Sequence, residues 1–180
     1  MPRVDPIPVS ADGNAVTNSL LARVMGRCPD ILNAFGGLDA AIRFHGRLPG
    51  DLYEAVRRAT ADQIGCEYCS SLGQLEQLQV GPAQVRTGLA VAFAQMVAED
   101  PSAITDEQFA VLREEFSEDE IVELVAFICL VGIAGQMFGA VMGLEPTSPE
   151  EAAEYQQILE RQLAKRARSR AETAAAGPQP

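Results

Sequence analysis

The chain has 180 residues, 47% apolar and 6% aromatic with no Trp, enough for one real core and against wholesale disorder. Fourteen basic residues against twenty-five acidic ones give −11, which argues against a nucleic-acid-binding body. The lone histidine, His45, rules out a multi-histidine metal centre, and a core of Leu, Val, Ile, Ala and Met favours helices over a sandwich.

The opening MPRVDPIPVS holds three prolines and no apolar run, so the expectation is an extended segment over 1–13, no secretory signal and a cytoplasmic location. Thiols stay reduced there, and a structural disulfide framework is not expected. Asn14 to Cys28 places Val16, Leu20, Leu21, Val24 and Met25 at helical spacing. Pro29-Asp30 opens a second helix through Phe44, with a bend expected at Gly36-Gly37. A third reads from Leu48 through Ile64 to Gly65, a C-cap position. Cys66 and Cys69 open a fourth, to about Gln79, and Gly81-Pro82 leads to a fifth over Ala83–Ala98. Thr105 with Gln108, and Ser117 with Glu120, are capping-box patterns for the next two. Ser148-Pro149-Glu150-Glu151 caps a last helix assigned to 146–172, with a disordered tail over 173–180.

Residues 124–144 contain no charged residue and are long enough to span a bilayer, with Gly135, Gly139 and Gly143 in a GxxxGxxxG row and Gln136 as a polar interruption. The acidic flank Glu118, Asp119, Glu120 and Glu123, and the lack of nearby Lys or Arg, favour a buried helix whose glycines admit a neighbouring helix or subunit. No membrane is expected. Charge is uneven along the chain. Residues 161–180 sum to +4 and residues 1–160 to −15. The basic arm is expected to be a solvated helix end favoured by its own dipole, or to pair with the acidic body of a neighbouring subunit.

Cys66-Glu67-Tyr68-Cys69 follows the helix-ending Gly65. Residues three apart on a helix share a face, within reach of a disulfide after a small adjustment. A helix N-terminus also favours the thiolate, which attacks peroxides and disulfides. Two duller readings compete. The pair could be half of a zinc site completed by Cys28, Cys129 and His45, or two incidental core residues. Glu67 and Ser70 beside the cysteines argue against a wholly buried site. Glu54 sits at the edge of the inward stripe Tyr53, Val56, Thr60 and Ile64, with Arg57 and Arg58 three and four residues on. By pattern that is a solvated pair.

The stretch HGRLPGDLYEAVRRATADQIGCEYCSSLGQLEQLQVG, from His45 to Gly81, resembles the carboxymuconolactone decarboxylase family, in particular its alkylhydroperoxidase D-like branch. The matching marks are the LP..L.E helix start, the GC.YC turn, and Glu54 twelve residues before Cys66. The run Phe116–Leu124 is similar to the family's later helix start, and the resemblance covers about 14–145. It implies an all-α fold, a helical bundle of about seven to eight helices, assembled as a homo-oligomer (trimer or hexamer). It also implies Cys69 as the peroxide-attacking thiol, Cys66 as its resolving partner and Glu54 as the first step of a proton relay. Where the branch has a histidine, four residues after the second cysteine, this chain has Gly73. Glycine relays no proton, so His45, in the preceding turn, is the imidazole that could substitute, although by pattern a surface or loop-packing role is the expectation for it.

The function expected is therefore a thiol-dependent peroxidase or disulfide oxidoreductase. It would act on a hydroperoxide and be recharged by a thiol or dithiol reductant protein, with no cofactor and no metal. The alternatives are a catalytically impaired oligomeric scaffold or small-ligand-binding protein, and the namesake lactone decarboxylation.

Overall fold

A computed structural model describes residues 1–72 and 82–176 of the chain. Every regular element among them is helical. Helix α1 (Leu20–Met25) is shorter than the expected 14–28, because Asn14 Oδ1 accepts from the amides of Val16 and Thr17 and turns the chain. Short polar side chains compete with the helix ladder in this way. Ser19 Oγ then caps α1 by accepting from Ala22 N at 3.2 Å. Helix α2 (Pro29–His45) runs unbroken through Gly36-Gly37. Helix α3 (Gly50–Ile64) ends where expected, at Gly65 in the left-handed region with φ 73°. Helix α4 (Glu67–Ser71) starts with Cys66 as its N-cap and stops at Leu72, whose backbone is extended, and residues 73–79 of the expected fourth helix lie outside the described residues.

Helix α5 (Pro82–Glu99) leads through a 3₁₀ turn (Pro101–Ala103) to α6 (Asp106–Glu115). Both capping boxes form with reciprocal bonds: Thr105 with Gln108 at α6, and Ser117 with Glu120 at α7 (Glu118–Ala126). Helix α7 continues through a π-helical segment (Phe127–Ile133) into α8 (Ala134–Met142), so Glu118–Met142 is one 25-residue rod. By length and composition alone that rod could cross a membrane. Its Ile121, Leu124, Phe127, Ile128 and Val131 are buried in the protein core. Gly143, with φ 64°, ends it.

The main core forms where α3 lies between α5 and the rod, with Leu52, Tyr53, Val56, Phe93, Leu112 and Phe127 fully buried. The Tyr53 and Phe127 rings pack tilted at 54°, with centroids 4.7 Å apart. Burying each such side chain stabilises by about 1.5–3 kcal/mol. Glu123 pins the turn before α3 to the rod, accepting from Arg47 N (2.7 Å), Leu48 N (2.8 Å) and the Tyr53 hydroxyl. A second, smaller cluster holds Val24, Ala61, Cys66, Tyr68, Cys69 and Leu144.

Helix α9 (Pro149–Ala176) runs past the expected end at 172. Ser148 Oγ accepts from Glu151 N at 3.2 Å, as the cap pattern foretold. The basic arm is not merely solvated. Arg166 donates to the carbonyls of Arg43 (3.0 Å) and Gly46 at the C-terminus of α2, where helix carbonyls lack partners and a cation is favoured.

Candidate redox-active cysteine site

Gly65 stops α3 and turns the chain so that α4 doubles back, and Cys66 and Cys69 close a disulfide with Cα atoms 5.2 Å apart. The Cys69 amide donates to Cys66 Sγ at 3.2 Å. Despite the exposed Glu67 between them, both cysteines are buried, at 1% and 6% exposure, contrary to the expectation from the flanking residues. An outward residue on so short a helix says little about its opposite face.

Gly139 of α8 makes that burial possible. A β-carbon there would lie 2.7 Å from Cys66 Sγ and 3.5 Å from Cys69 Sγ. The small-residue row thus serves contacts inside the chain. Gly135 meets Phe35 of α2, Gly139 meets the cysteine pair, and Gly143 takes the left-handed cap.

Glu54 is buried at 5% exposure, where a solvated pair was the pattern-based expectation. Its carboxylate accepts two bonds from Arg57, from Nε at 2.9 Å and Nη2 at 2.5 Å. Arg57 in turn donates to the carbonyls of Cys69 and Leu72, each at 2.6 Å. Burial opposes the charge on Arg57, but the hydrogen bond and the charge of Glu54 outweigh it and raise its pKa, so the guanidinium stays charged. Glu54 therefore reaches the cysteines through Arg57, which ties α3 to the chain around Cys69.

An apolar cavity of about 180 Å³ opens beside the pair, between α1, α2, α4 and the rod. Cys69 lines it and Cys66 does not. Leu21, Leu32, Phe35 and Phe127 supply apolar wall. At one side Arg43 donates to Asp39 (2.7 and 2.5 Å) and to the Tyr155 hydroxyl of α9 (3.2 Å). Tyr68 also lines the cavity, and burial pushes its phenol pKa up. The π-helical segment widens the rod at this wall, bringing Phe127, Val131 and Gly132 onto it. Such segments recur at functional sites.

His45 is not brought to the cysteines. It is exposed at the end of α2, in a separate groove with Gln162, Lys165, Arg166 and Ser169 of α9. It belongs to the turn capped by Arg166, whose path the spacing to Cys66 does not report. Gly73 lies outside the described residues. Cys28 and Cys129 are free and exposed, so they do not complete a four-ligand zinc site with the buried pair. Two site residues escaped the sequence reading. Arg57 was visible only as a helix neighbour of Glu54, and Gln136, which lines the cavity, only as a polar interruption of the apolar run 124–144.

The fold is the alkylhydroperoxidase D-like helical fold that the resemblance implied. An uncharacterized peroxidase-related protein from Silicibacter sp. TM1040 superposes with a TM-score of 0.57 at 16% identity, covering 86% of this chain and 96% of its own. The debrominase Bmp8, in its apo form, is similar with a TM-score of 0.51 at 23% identity, covering 74% and 81%. No family model and no curated protein matches the sequence.

Proposed function

We propose that the protein is a dithiol peroxidase or disulfide oxidoreductase working through Cys69 and Cys66. The observation that carries this reading is the closed Cys66–Cys69 disulfide with Cys69 alone on the cavity wall. The peroxidase-related neighbour supports it. In the reduced protein the Cys69 thiolate, favoured by the Arg57 cation bound to its own carbonyl, attacks the terminal oxygen of a hydroperoxide. The O–O bond breaks, an S–O bond forms, and the leaving alkoxide takes a proton to become an alcohol. Cys66 then attacks the Cys69 sulfur. The S–S bond forms and hydroxide leaves as water, carrying the proton of the Cys66 thiol. One peroxide has taken two electrons from two thiols, and a dithiol reductant protein restores them by exchange. Glu54 serves this site by holding Arg57 rather than by touching the sulfurs.

The protein would act in the cytoplasm without metal or organic cofactor. Assembly as a homo-oligomer is supported by exposed apolar side chains on the rod, Val122, Leu130, Met137 and Val141, and on α2, Ile31 and Leu38. A soluble assembly of this kind, rather than a lipid contact, would cover those side chains.

The test is a stoichiometric hydroperoxide pulse on reduced protein, with mass spectrometry at all four cysteines. The expected product is a Cys66–Cys69 disulfide, with Cys28 and Cys129 still free. Undiminished peroxide consumption by Cys69→Ser would falsify the assignment.

A further inference from the structure

Gln136 is 2% exposed, and its Nε2 donates to the carbonyl of Arg57 at 2.6 Å. A carbonyl only accepts, so that bond fixes which end of the amide faces α3 and leaves Oε1 as the free end. Oε1 is buried and has no protein partner. Such an atom in a well-packed site costs free energy and calls for an explanation.

Its position supplies one. Gln136 precedes Gly139 by three residues, so both lie on the face of α8 that meets the cysteine pair. Gln136 and Cys69 line the same cavity. The other polar groups of that wall are committed. Arg43 donates to Asp39 and to Tyr155, Arg57 donates to Glu54 and two carbonyls, Ser19 accepts from Ala22 N, and the Tyr68 hydroxyl bonds Ser19 and the backbone of Leu21. Among the described residues that line the cavity, Gln136 Oε1 is the one buried side-chain polar atom without a hydrogen-bond partner, set beside an apolar wall and the Cys69 sulfur.

We infer that Gln136 is the polar anchor of a binding site for a small, mostly apolar molecule carrying a single O–H donor. This rests on the peroxidase reading for the identity of that molecule, an organic hydroperoxide with a body about the size of a benzene ring. A cavity near 150 Å³ with similar walls is enough for such a ring, and this one is about 180 Å³. The O–H of the hydroperoxide donates to Gln136 Oε1. The terminal oxygen that carries this hydrogen is the atom transferred to Cys69 sulfur, while the organic group rests on the apolar wall. After transfer the same O–H belongs to the Cys69 sulfenic acid and still has its acceptor, until Cys66 displaces the oxygen as water.

The experiment uses the full-length disulfide form and two redox-inert probes of matched shape, benzyl alcohol and toluene, with binding followed by NMR titration. Wild type should bind the alcohol about fivefold more tightly than toluene, the worth of one buried hydrogen bond. Gln136→Leu should bind both and lose the preference. If it fails to fold, Gln136→Met, with the same chain length, serves instead. A loss of packing alone would weaken both probes together. Absence of binding or of the preference in wild type, or its survival in the variant, would overturn the inference. A parallel cumene hydroperoxide pulse on reduced wild type separates the two readings. An anchor that works in a protein inert to hydroperoxide would refute the peroxidase and leave the site standing.

Discussion

Gly139 lies against Cys66 so closely that a methyl group at position 139 would meet the sulfur at 2.7 Å. Alanine is favoured over glycine by about 1 kcal/mol inside a helix, so any net loss on Gly139→Ala reports this contact. We expect a net destabilisation of about 1–3 kcal/mol in urea unfolding of the oxidised protein. Adding Cys66→Ala should make the double variant less damaged than the two losses added together. Additive losses would mean that the contact is not where the cost arises.

Arg57 joins a buried carboxylate to the backbone of the cysteine segment. Arg57→Met leaves Glu54 buried without its partner and should cost about 3–5 kcal/mol. Arg57→Lys should recover only part of this, because an ammonium cannot present the planar fork that serves Glu54, Cys69 and Leu72 together. Reduction of the disulfide by dithiothreitol should be faster in both variants. An unchanged reduction rate would separate Arg57 from the site.

Glu120 closes the capping box of α7 and pairs with Arg86 at 2.9 Å. Burial alone would raise its pKa, but the Ser117 amide and hydroxyl and the Arg86 guanidinium together pull it below the ordinary value of 4.5. A lowered folded-state pKa stabilises the protein at pH values above the unfolded one. That contribution is full above about pH 4.5 and is lost as pH falls through the lower folded value. Glu120→Gln should therefore flatten the fall in stability as pH drops below about 4.5, measured by urea midpoints. An acid limb as steep as wild type would assign the effect to other carboxylates.

Leu130 and Met137 lie on the rod, each about half exposed. Charge at both positions, Leu130→Glu with Met137→Glu, should shift sedimentation from the oligomer to the monomer while the helical circular dichroism is kept. Wild type sedimenting as a monomer would contradict the assembly.

Much of the local architecture was legible in the sequence for a simple reason. Capping bonds are made within three or four residues, so Thr105 with Gln108, Ser117 with Glu120, Ser148 with Glu151, and Gly65 mark helix ends wherever the helices later pack. Asn14 was the exception, and a local bond of its own side chain explains that as well.

The chain's 180 residues and −11 charge bounded the class of protein, and its cysteine spacing located the pair. Tertiary structure decided the rest of the site. Spacing could not show that Glu54 is buried, that His45 lies in another groove, or that Cys69 faces a cavity. It could not bring Gln136 to Arg57 across 79 residues, or Gly139 onto Cys66. Those contacts depend on how the rod crosses α3 and α4, which is set by packing of the whole core and leaves no mark at fixed intervals in the chain.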